Sequence, residues 1–186
     1  MNADDHFEPL ATARLLLRRS VADDAEAISA YRSDPNVHRM QGWERTDPEG
    51  VRKEIEEMAG RNPGEPGGWV QFTVEDGTDG TLVGDVGLSP AEGEPGVIKV
   101  GYTIDPRFQG RGYATEAVEA LVDYSFDTLA ADVVRAYAGA ENSPSIRVME
   151  KVGMRLMERF HGSDGEETWT GVRYEVARTA RPGGGG

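Results

Sequence analysis

The sequence predicts an α+β domain in which a mixed, mainly antiparallel sheet of about seven strands is flanked by about four helices. Three observations favour this fold class. Segments with the two-residue alternation of strands take turns with segments of helical periodicity. Three strand-like segments follow one another between residues 69 and 104, as in a run of hairpins. The 186 residues include no cysteine, so the fold has to rest on a hydrophobic core without disulfides.

The first half of the chain predicts one strand, two helices and then three strands. Ser20 is a candidate N-cap, and Asp23 and Asp24 would lie in the first turn of the helix that follows. Segment 37–45 is expected to be irregular. The predicted elements are, in order, strand 14–18, helix 21–33, a helix starting within 46–49 and ending at 60, and strands 69–75, 81–88 and 97–104.

The second half predicts alternating helices and strands. A helical apolar stripe begins at Ala114 and continues through Val118 and Leu121. The predicted elements are helix 113–129, strand 132–138, helix 142–152 and strands 154–160 and 168–177, the last two joined by a turn over 161–165. Together they form a single domain over 12–178, with a flexible segment 1–11 before it and a disordered glycine-rich tail 179–186 after it.

Composition restricts the partners of the protein. The formal net charge of -13 and the pI near 4.7 argue against nucleic-acid binding, because phosphates would be repelled. The charge suits either a cationic substrate or a plain solvated acidic surface. No apolar stretch approaches membrane-spanning length and the N-terminus lacks the pattern of a secretory signal, so we expect a cytoplasmic protein with no membrane partner. His6, His38 and His161 lack ligand spacing, so no metal site is expected.

The most informative motif is the glycine loop 109–114, which lies between a predicted strand and a predicted helix. The first turn of a helix has backbone N–H groups without intrahelical acceptors, and the helix dipole adds positive charge there. Gly110 and Gly112 allow close approach of a ligand to the backbone, and Arg111 adds charged donors. The loop is therefore either a simple turn or a pyrophosphate site.

Two other phosphate-binding motifs do not fit the loop. The dinucleotide motif requires a third glycine where Thr115 stands. The P-loop requires Gly-Lys-Ser/Thr, which the sequence lacks. A nucleotide-binding module is therefore disfavoured.

The loop resembles a known family. Residues 109–114 match the Gln/Arg-x-x-Gly-x-Gly/Ala pattern of the GNAT superfamily, and the Gly-Tyr-x-Ile-x-Pro sequence over 101–106 resembles the central strand of that family. Residues 141–154 resemble its Asn-x-x-Ser/Ala…Glu-Lys-x-Gly-Phe helix. Segment 12–18 and Ser145 are most similar to the branch of ribosomal-protein alanine N-acetyltransferases. The resemblance covers residues 12–177.

The resemblance implies a GNAT-like fold and an acetyl-CoA-dependent N-acetyltransferase. Such an enzyme moves the acetyl group directly to a primary amine, here a protein N-terminal α-amine or a small-molecule amine such as an antibiotic or polyamine. Acetyl-CoA would be the acyl donor, no metal would take part, and the protein would be a monomer or homodimer. The alternative is a non-catalytic acyl-CoA-binding regulatory or interaction domain.

The resemblance also implies the residues of the site. Ser145 would lie near the thioester sulfur and supply the acid that relatives take from a tyrosine at the position of Met149. Many relatives place a carboxylate base at the position of Lys99, so Asp85 and Glu116 remain as base candidates. Asp85 could equally be a solvent-facing strand residue, and Glu116 could merely stabilise its helix. The implied cofactor-binding residues are Tyr102, Thr103, Ile104, Gln109, Gly110, Arg111, Gly112, Tyr113, Ala114, Asn142 and Ser145.

The segment that borders the acceptor pocket in relatives corresponds to residues around His38, Met40, Trp43 and Glu44. These side chains would form a wall of the amine site or simply a packed surface loop.

Overall fold

A computed structural model describes residues 7–41, 46–163 and 168–180 of the chain. This part contains eight strands in one sheet and five α-helices, which confirms the predicted α+β class. The strands are β1 Leu10–Ala11, β2 Leu15–Arg19, β3 Val70–Asp76, β4 Leu82–Pro90, β5 Val97–Ile104, β6 Val133–Gly139, β7 Arg155–Ser163 and β8 Thr168–Ala177. The helices are α1 Ala25–Arg32, α2 Pro35–His38, α3 Pro48–Met58, α4 Tyr113–Asp127 and α5 Ser143–Lys151.

The sheet has the order β1-β2-β3-β4-β5-β6-β8-β7. All neighbouring strands are antiparallel except β5 and β6, which are parallel and are connected through α4. The parallel ladder is short, since it joins only Val97 to Val133, Ile98 to Val134 and Lys99 to Arg135. Within these fully described strands, the two backbones pair no further. The C-terminal half of β5 therefore keeps one edge free of ladder bonds, while its other edge pairs with β4.

The helices cover both faces of the sheet. The fully buried face of α4 includes Ala117, Val118 and Leu121, and it packs into the main core with Val86 and Leu88 of β4. A second, smaller core on the other face joins α1 and α3 through Ala25, Ile28, Tyr31, Val51 and Ile55. Successive strand residues point to opposite faces of the sheet. Val86 therefore packs in the main core with α4, and its neighbour Asp85 points to the face covered by α1 and α3.

Two short elements differ from the sequence prediction. Residues 7–11 belong to the N-terminal segment predicted to be flexible, but they are held in the fold. Strand β1 pairs with β2, and the ring of the buried Phe7 lies 4.4 Å from the ring of Phe72. Helix α2 forms where 34–36 was predicted to end a helix, and it covers the first two residues of the segment predicted to be irregular, because Asp34 caps it through the Asn36 N–H at 2.8 Å and Pro35 suits its first turn. Single apolar residues and one-turn helices carry too little periodicity to be predicted from sequence.

Other boundaries moved by a few residues. The predicted helix 21–33 begins with a 3₁₀ turn over Ala22–Asp24 before α1. Strand β7 continues to Ser163, past the predicted start of the turn at His161. Residues 179–180, the first two of the predicted disordered tail, lie in a 3₁₀ turn over Arg178–Ala180. The remainder of the 161–165 turn, residues 1–6 and residues 181–186 lie outside the described residues, so the predictions for them stay predictions.

Replacing Asp47 with alanine should destabilise the protein by about 1 kcal/mol. The Asp47 carboxylate accepts a hydrogen bond from the Gly50 N–H at 2.9 Å and caps α3, and alanine would leave that donor without its partner. Thermal or urea unfolding measures the change. The matched control is Glu56→Gln, an exposed position late in α3, which should change stability by less than about 0.5 kcal/mol. Equal effects of the two variants would contradict the capping role.

Candidate active site

A cavity of about 620 Å³ opens between the free edge of β5, the start of α4, the start of α5 and the segment around α2. It brings together all of the predicted cofactor-binding residues except Arg111. These cavity-lining residues are Tyr102, Thr103, Ile104, Gln109, Gly110, Gly112, Tyr113, Ala114, Asn142 and Ser145. The side chain of Arg111 lies instead over the Phe108 ring, 5.3 Å from its centroid.

The glycine loop is built to expose the first turn of α4. Gly110 and Gly112 have φ values of 76° and 83°, a left-handed conformation that L side chains rarely adopt, and Gly112 is the N-cap of α4. The Gln109 amide donates to the Ile104 carbonyl at 2.9 Å and holds the loop against the end of β5. The free N–H groups of the helix start therefore face the same cavity as the open edge of β5. An anionic group would be stabilised there by these donors and by the helix dipole.

Gln41 contacts the open strand and was not predicted from the sequence. Its amide Nε2 donates to the Tyr102 carbonyl and to Thr103 Oγ1, both at 3.1 Å. Gln41 follows α2 and lines the cavity, as Met40 and Arg39 do. No local sequence pattern indicates that a glutamine at this position contacts a strand about sixty residues later. His38 is exposed outside the cavity lining, and Trp43 and Glu44 lie outside the described residues.

Tyr102 and Ser145 form a hydroxyl pair between β5 and α5. The two hydroxyl oxygens lie 2.8 Å apart, and Tyr102 Oη also donates to the Ser145 carbonyl at 2.9 Å. Burial raises the pKa of Tyr102 to about 12, against a smaller lowering by the Ser145 hydrogen bond, so the phenol is protonated at neutral pH. Asn142 Oδ1 caps α5 by accepting from the Ser145 N–H at 3.2 Å. The pair offers a proton at the cavity wall.

Asp85 is buried, and the interpretation of it as a solvent-facing residue is wrong. The residue is 7% exposed, and Tyr31 donates a hydrogen bond to Oδ1. The Arg32 guanidinium lies 3.9 Å from Oδ2. Burial raises the pKa of Asp85, while Arg32 and the Tyr31 hydrogen bond oppose that rise. Asp85 does not line the cavity itself, but it stands directly opposite Thr103, which does.

Glu116 lies outside the cavity lining, although it is in the first turn of α4. Its carboxylate accepts from Thr12 Oγ1 at 2.6 Å and from the Arg14 backbone N–H at 2.8 Å, and it pairs with the Arg14 guanidinium at 2.6 Å. These contacts tie the segment before β2 to α4. The position of Glu116 therefore gives no support to its interpretation as a base.

Asp34 is the carboxylate among the described residues that line the cavity, and the sequence indicated it only as a helix stop. Met149, where relatives have a tyrosine, is fully buried in the main core. Within the described ranges, no group of His, Cys, Asp and Glu side chains could hold a metal ion. No helix in that part of the chain is long and apolar enough to cross a membrane.

Comparison with known proteins gives the same fold and the same family. The family model of the acetyltransferase (GNAT) domain matches residues 14–155. The uncharacterized N-acetyltransferase YnaD of Bacillus subtilis is 31% identical over 169 residues, which cover 90% of this chain and 95% of that protein.

Solved structures of acetyltransferases have the same fold as this chain. A GNAT-family acetyltransferase from Bacillus anthracis superposes with a TM-score of 0.81 at 28% identity, over 91% of this chain and 98% of that one. A ribosomal L7/L12 alpha-N-protein acetyltransferase in complex with coenzyme A shares the fold, with a TM-score of 0.78 at 16% identity over 94% of this chain and 100% of that one. With a family model covering most of its length and a fold to match, the chain belongs to the GNAT family of N-acetyltransferases and is an acyltransferase.

Proposed function

We propose that the protein transfers the acetyl group of acetyl-CoA directly to a primary amine, either a protein N-terminal α-amine or the amine of a small molecule. The observation that carries this proposal is the single cavity in which the open edge of β5 leads into the exposed start of α4. One end of the cavity offers backbone hydrogen-bonding groups, and the other offers an anion site. An extended molecule that ends in phosphates, such as the CoA arm, fits this order of groups.

The residues of the cavity fit acetyl-CoA, which would supply an activated thioester. The backbone N–H groups of 109–114 would hold the pyrophosphate. The backbone of 102–104 would pair with the pantetheine arm along the open edge of β5. Arg147 and Lys151 line the cavity on α5 and would face further phosphate oxygens.

The acceptor amine has to be neutral before it can attack. Deprotonating an alkylammonium with a pKa near 10 costs about 4 kcal/mol of free energy at pH 7. The cost is smaller for an α-amine, whose pKa is near 8. Asp85 is the proposed base, because burial raises its pKa above that of an ordinary carboxylate. It would take the proton through the Thr103 hydroxyl or an ordered water. Backbone N–H groups of β5 would polarise the thioester carbonyl.

The departing sulfur needs a proton, and the Tyr102–Ser145 pair would supply it. Either hydroxyl can donate, since each is held by the other at 2.8 Å. A thiol has a pKa near 8.5, so its anion is a moderate leaving group and the acid contributes only part of the rate.

Thiol release from acetyl-CoA, measured over a panel of amines and N-terminal peptides, tests the proposed function. The expected result is release that depends on the amine, together with acetylation of that amine detected by mass spectrometry. Binding of acetyl-CoA without release on any amine would contradict the catalytic proposal. Failure to bind acetyl-CoA in calorimetry would contradict the assignment of the cavity as well.

The Tyr102→Phe variant should lower kcat about tenfold, because it removes one hydroxyl of the donor pair but leaves Ser145. Steady-state kinetics at saturating acetyl-CoA measure the change. The control is Tyr174→Phe on β8, which removes a hydroxyl that contacts Glu150 of α5 and lies outside the cavity lining. A larger loss in the control than in Tyr102→Phe would argue against a role of this hydroxyl in proton transfer.

A further inference from the structure

The Trp69 indole packs on the sheet close to the candidate site, although neither Trp69 nor Lys99 belongs to the lining of the cavity. Gly87 of β4 and Gly101 of β5 face each other in register, and a β-carbon built on either would meet the Trp69 ring at 3.3 Å and 3.5 Å. Because neither glycine has a side chain, the Trp69 ring packs directly against the backbone of β4 and β5. The ring remains 41% exposed, so its outer side is open to a ligand. An exposed indole supported from below is a rigid platform for a planar or apolar group.

Lys99 supplies a positive charge at the same place. Its Nζ lies 5.8 Å from the centroid of the Trp69 ring. The neighbouring cation Arg135, opposite Lys99 on β6, is paired with Glu94 at 2.6 Å and Glu175 at 2.7 Å. Lys99, in contrast, makes no ion pair with any described residue. A ligand that rests on the indole would therefore meet an ammonium group that lies over the ring and that no described carboxylate pairs.

The strand register places Trp69 and Lys99 near Thr103 and the proposed base Asp85. Lys99, Gly101 and Thr103 alternate along one face of β5, so about 7 Å separates each from the next. Thr103 stands opposite Asp85, the proposed base. Lys99 is also the last residue of β5 that pairs with β6, so it marks the point where the two strands part. Along β5, Lys99 therefore lies at the start of the open edge, and the indole over Gly101 lies between Lys99 and Thr103.

We propose that Trp69 and Lys99 form the acceptor subsite and bind a primary amine whose body is planar or apolar and carries an anionic group. A benzoate that carries an aminomethyl group has this chemistry, because its ring separates the amine from the carboxylate. Its amine would reach Thr103 and Asp85, its ring would stack on the indole, and its carboxylate would pair with Lys99. This inference rests on the proposed function and narrows its acceptor class.

The local charge outweighs the overall charge in this choice. The net charge of -13 favours a cationic acceptor, which is what a polyamine or a basic protein would offer. At the platform, however, a second cation would approach Lys99 with no described carboxylate paired to it. A polycationic acceptor is therefore the competing outcome of the test.

The experiment compares 4-(aminomethyl)benzoate with 4-(aminomethyl)benzamide as acceptors in the thiol-release assay, for the wild-type protein and for Lys99→Gln. The substitution should lower kcat/KM for the free acid by about 10- to 100-fold through KM, and change that of the amide by less than about threefold. Taking the ratio of variant to wild type for each acceptor cancels the different basicity of the two amines. Trp69→Ala should raise KM for both aromatic acceptors alike, and Trp69→Phe should restore most of the loss.

Two controls keep the result interpretable. Lys53→Gln removes an exposed lysine on α3, an element that carries neither Trp69 nor Lys99, and should leave both acceptors unchanged. The Kd for acetyl-CoA should be the same in all variants, which separates acceptor binding from the donor site. Equal effects of Lys99→Gln on the acid and the amide, or activity confined to polyamines, would overturn the inference and leave the proposed function standing. Loss of acetyl-CoA binding in the wild-type protein would remove both.

Discussion

Replacing Asp85 with asparagine should lower kcat by about 10²- to 10³-fold while leaving the Kd for acetyl-CoA unchanged. The carboxylate is buried on β4, where it faces the α1 side of the sheet opposite Thr103. Asparagine preserves the shape of the side chain and can still accept from Tyr31, but it cannot take a proton from the amine. Stopped-flow or steady-state thiol release measures kcat, and calorimetry measures the Kd.

The pH profile gives the same proposal a second readout. Asp85 acts as a base only when it is ionised, and burial raises its pKa, so kcat should rise with pH through a pKa above the usual range of an aspartate. The Asp85→Asn variant should lose this rise of kcat at low pH. It should keep any pH dependence that comes from deprotonation of the acceptor amine. An unchanged profile in the variant would contradict the assignment.

Two further carboxylates serve as matched comparisons for Asp85. Asp34 lines the cavity, and Glu116 is tied to Thr12 and Arg14 outside it. Asp34→Asn and Glu116→Gln should each change kcat by less than about fivefold. A loss of two orders of magnitude in Asp34→Asn would transfer the role of base from Asp85 to Asp34.

Replacing Gly112 with valine should weaken acetyl-CoA binding by about 10- to 100-fold. Gly112 caps α4 at a φ of 83°, where a β-branched side chain is strained, and relief of that strain would turn the N–H groups of the helix start away from the pyrophosphate position. Its β-carbon would also come within 3.4 Å of the Arg14 guanidinium. Calorimetric titration with acetyl-CoA measures the change.

Gly93→Val is the matched control for the glycine loop. Gly93 has a φ of 72° in the turn between β4 and β5, and nothing lies within 4 Å of a β-carbon built there. The substitution carries a similar backbone strain at a position outside the cavity lining. It should lower the melting temperature without changing the Kd for acetyl-CoA. Equal losses of affinity in both variants would show that Gly112 acts only through global stability.

Local sequence patterns were sufficient for the elements that carry the cofactor loop. Strand β5 runs from Val97 to Ile104 as predicted, because its β-branched residues are bounded by Gly96 and Asp105-Pro106. Helix α4 starts at Tyr113 as predicted, since Gly112 is left-handed and ends the loop. Strand β8 also keeps its predicted range, Thr168–Ala177. Each of these signals lies within a few residues of the boundary that it fixes.

The surroundings of the candidate base could not be predicted in this way. Asp85 owes its burial to Tyr31 and Arg32, which are more than fifty positions earlier in the chain and reach it only after α1 packs on the sheet. The contact of Gln41 with Tyr102 and Thr103 spans about sixty positions for the same reason. Periodicity reports which face of an element is buried, but it does not report which partner covers that face.

The most direct test of the site is a crystal structure of the protein with coenzyme A. We expect the pyrophosphate to lie on the backbone N–H groups of residues 109–114 and the pantetheine arm to pair with the open edge of β5 over 102–104, with the sulfur near Tyr102 and Ser145. Coenzyme A bound elsewhere, with the start of α4 and the edge of β5 left empty, would contradict the account.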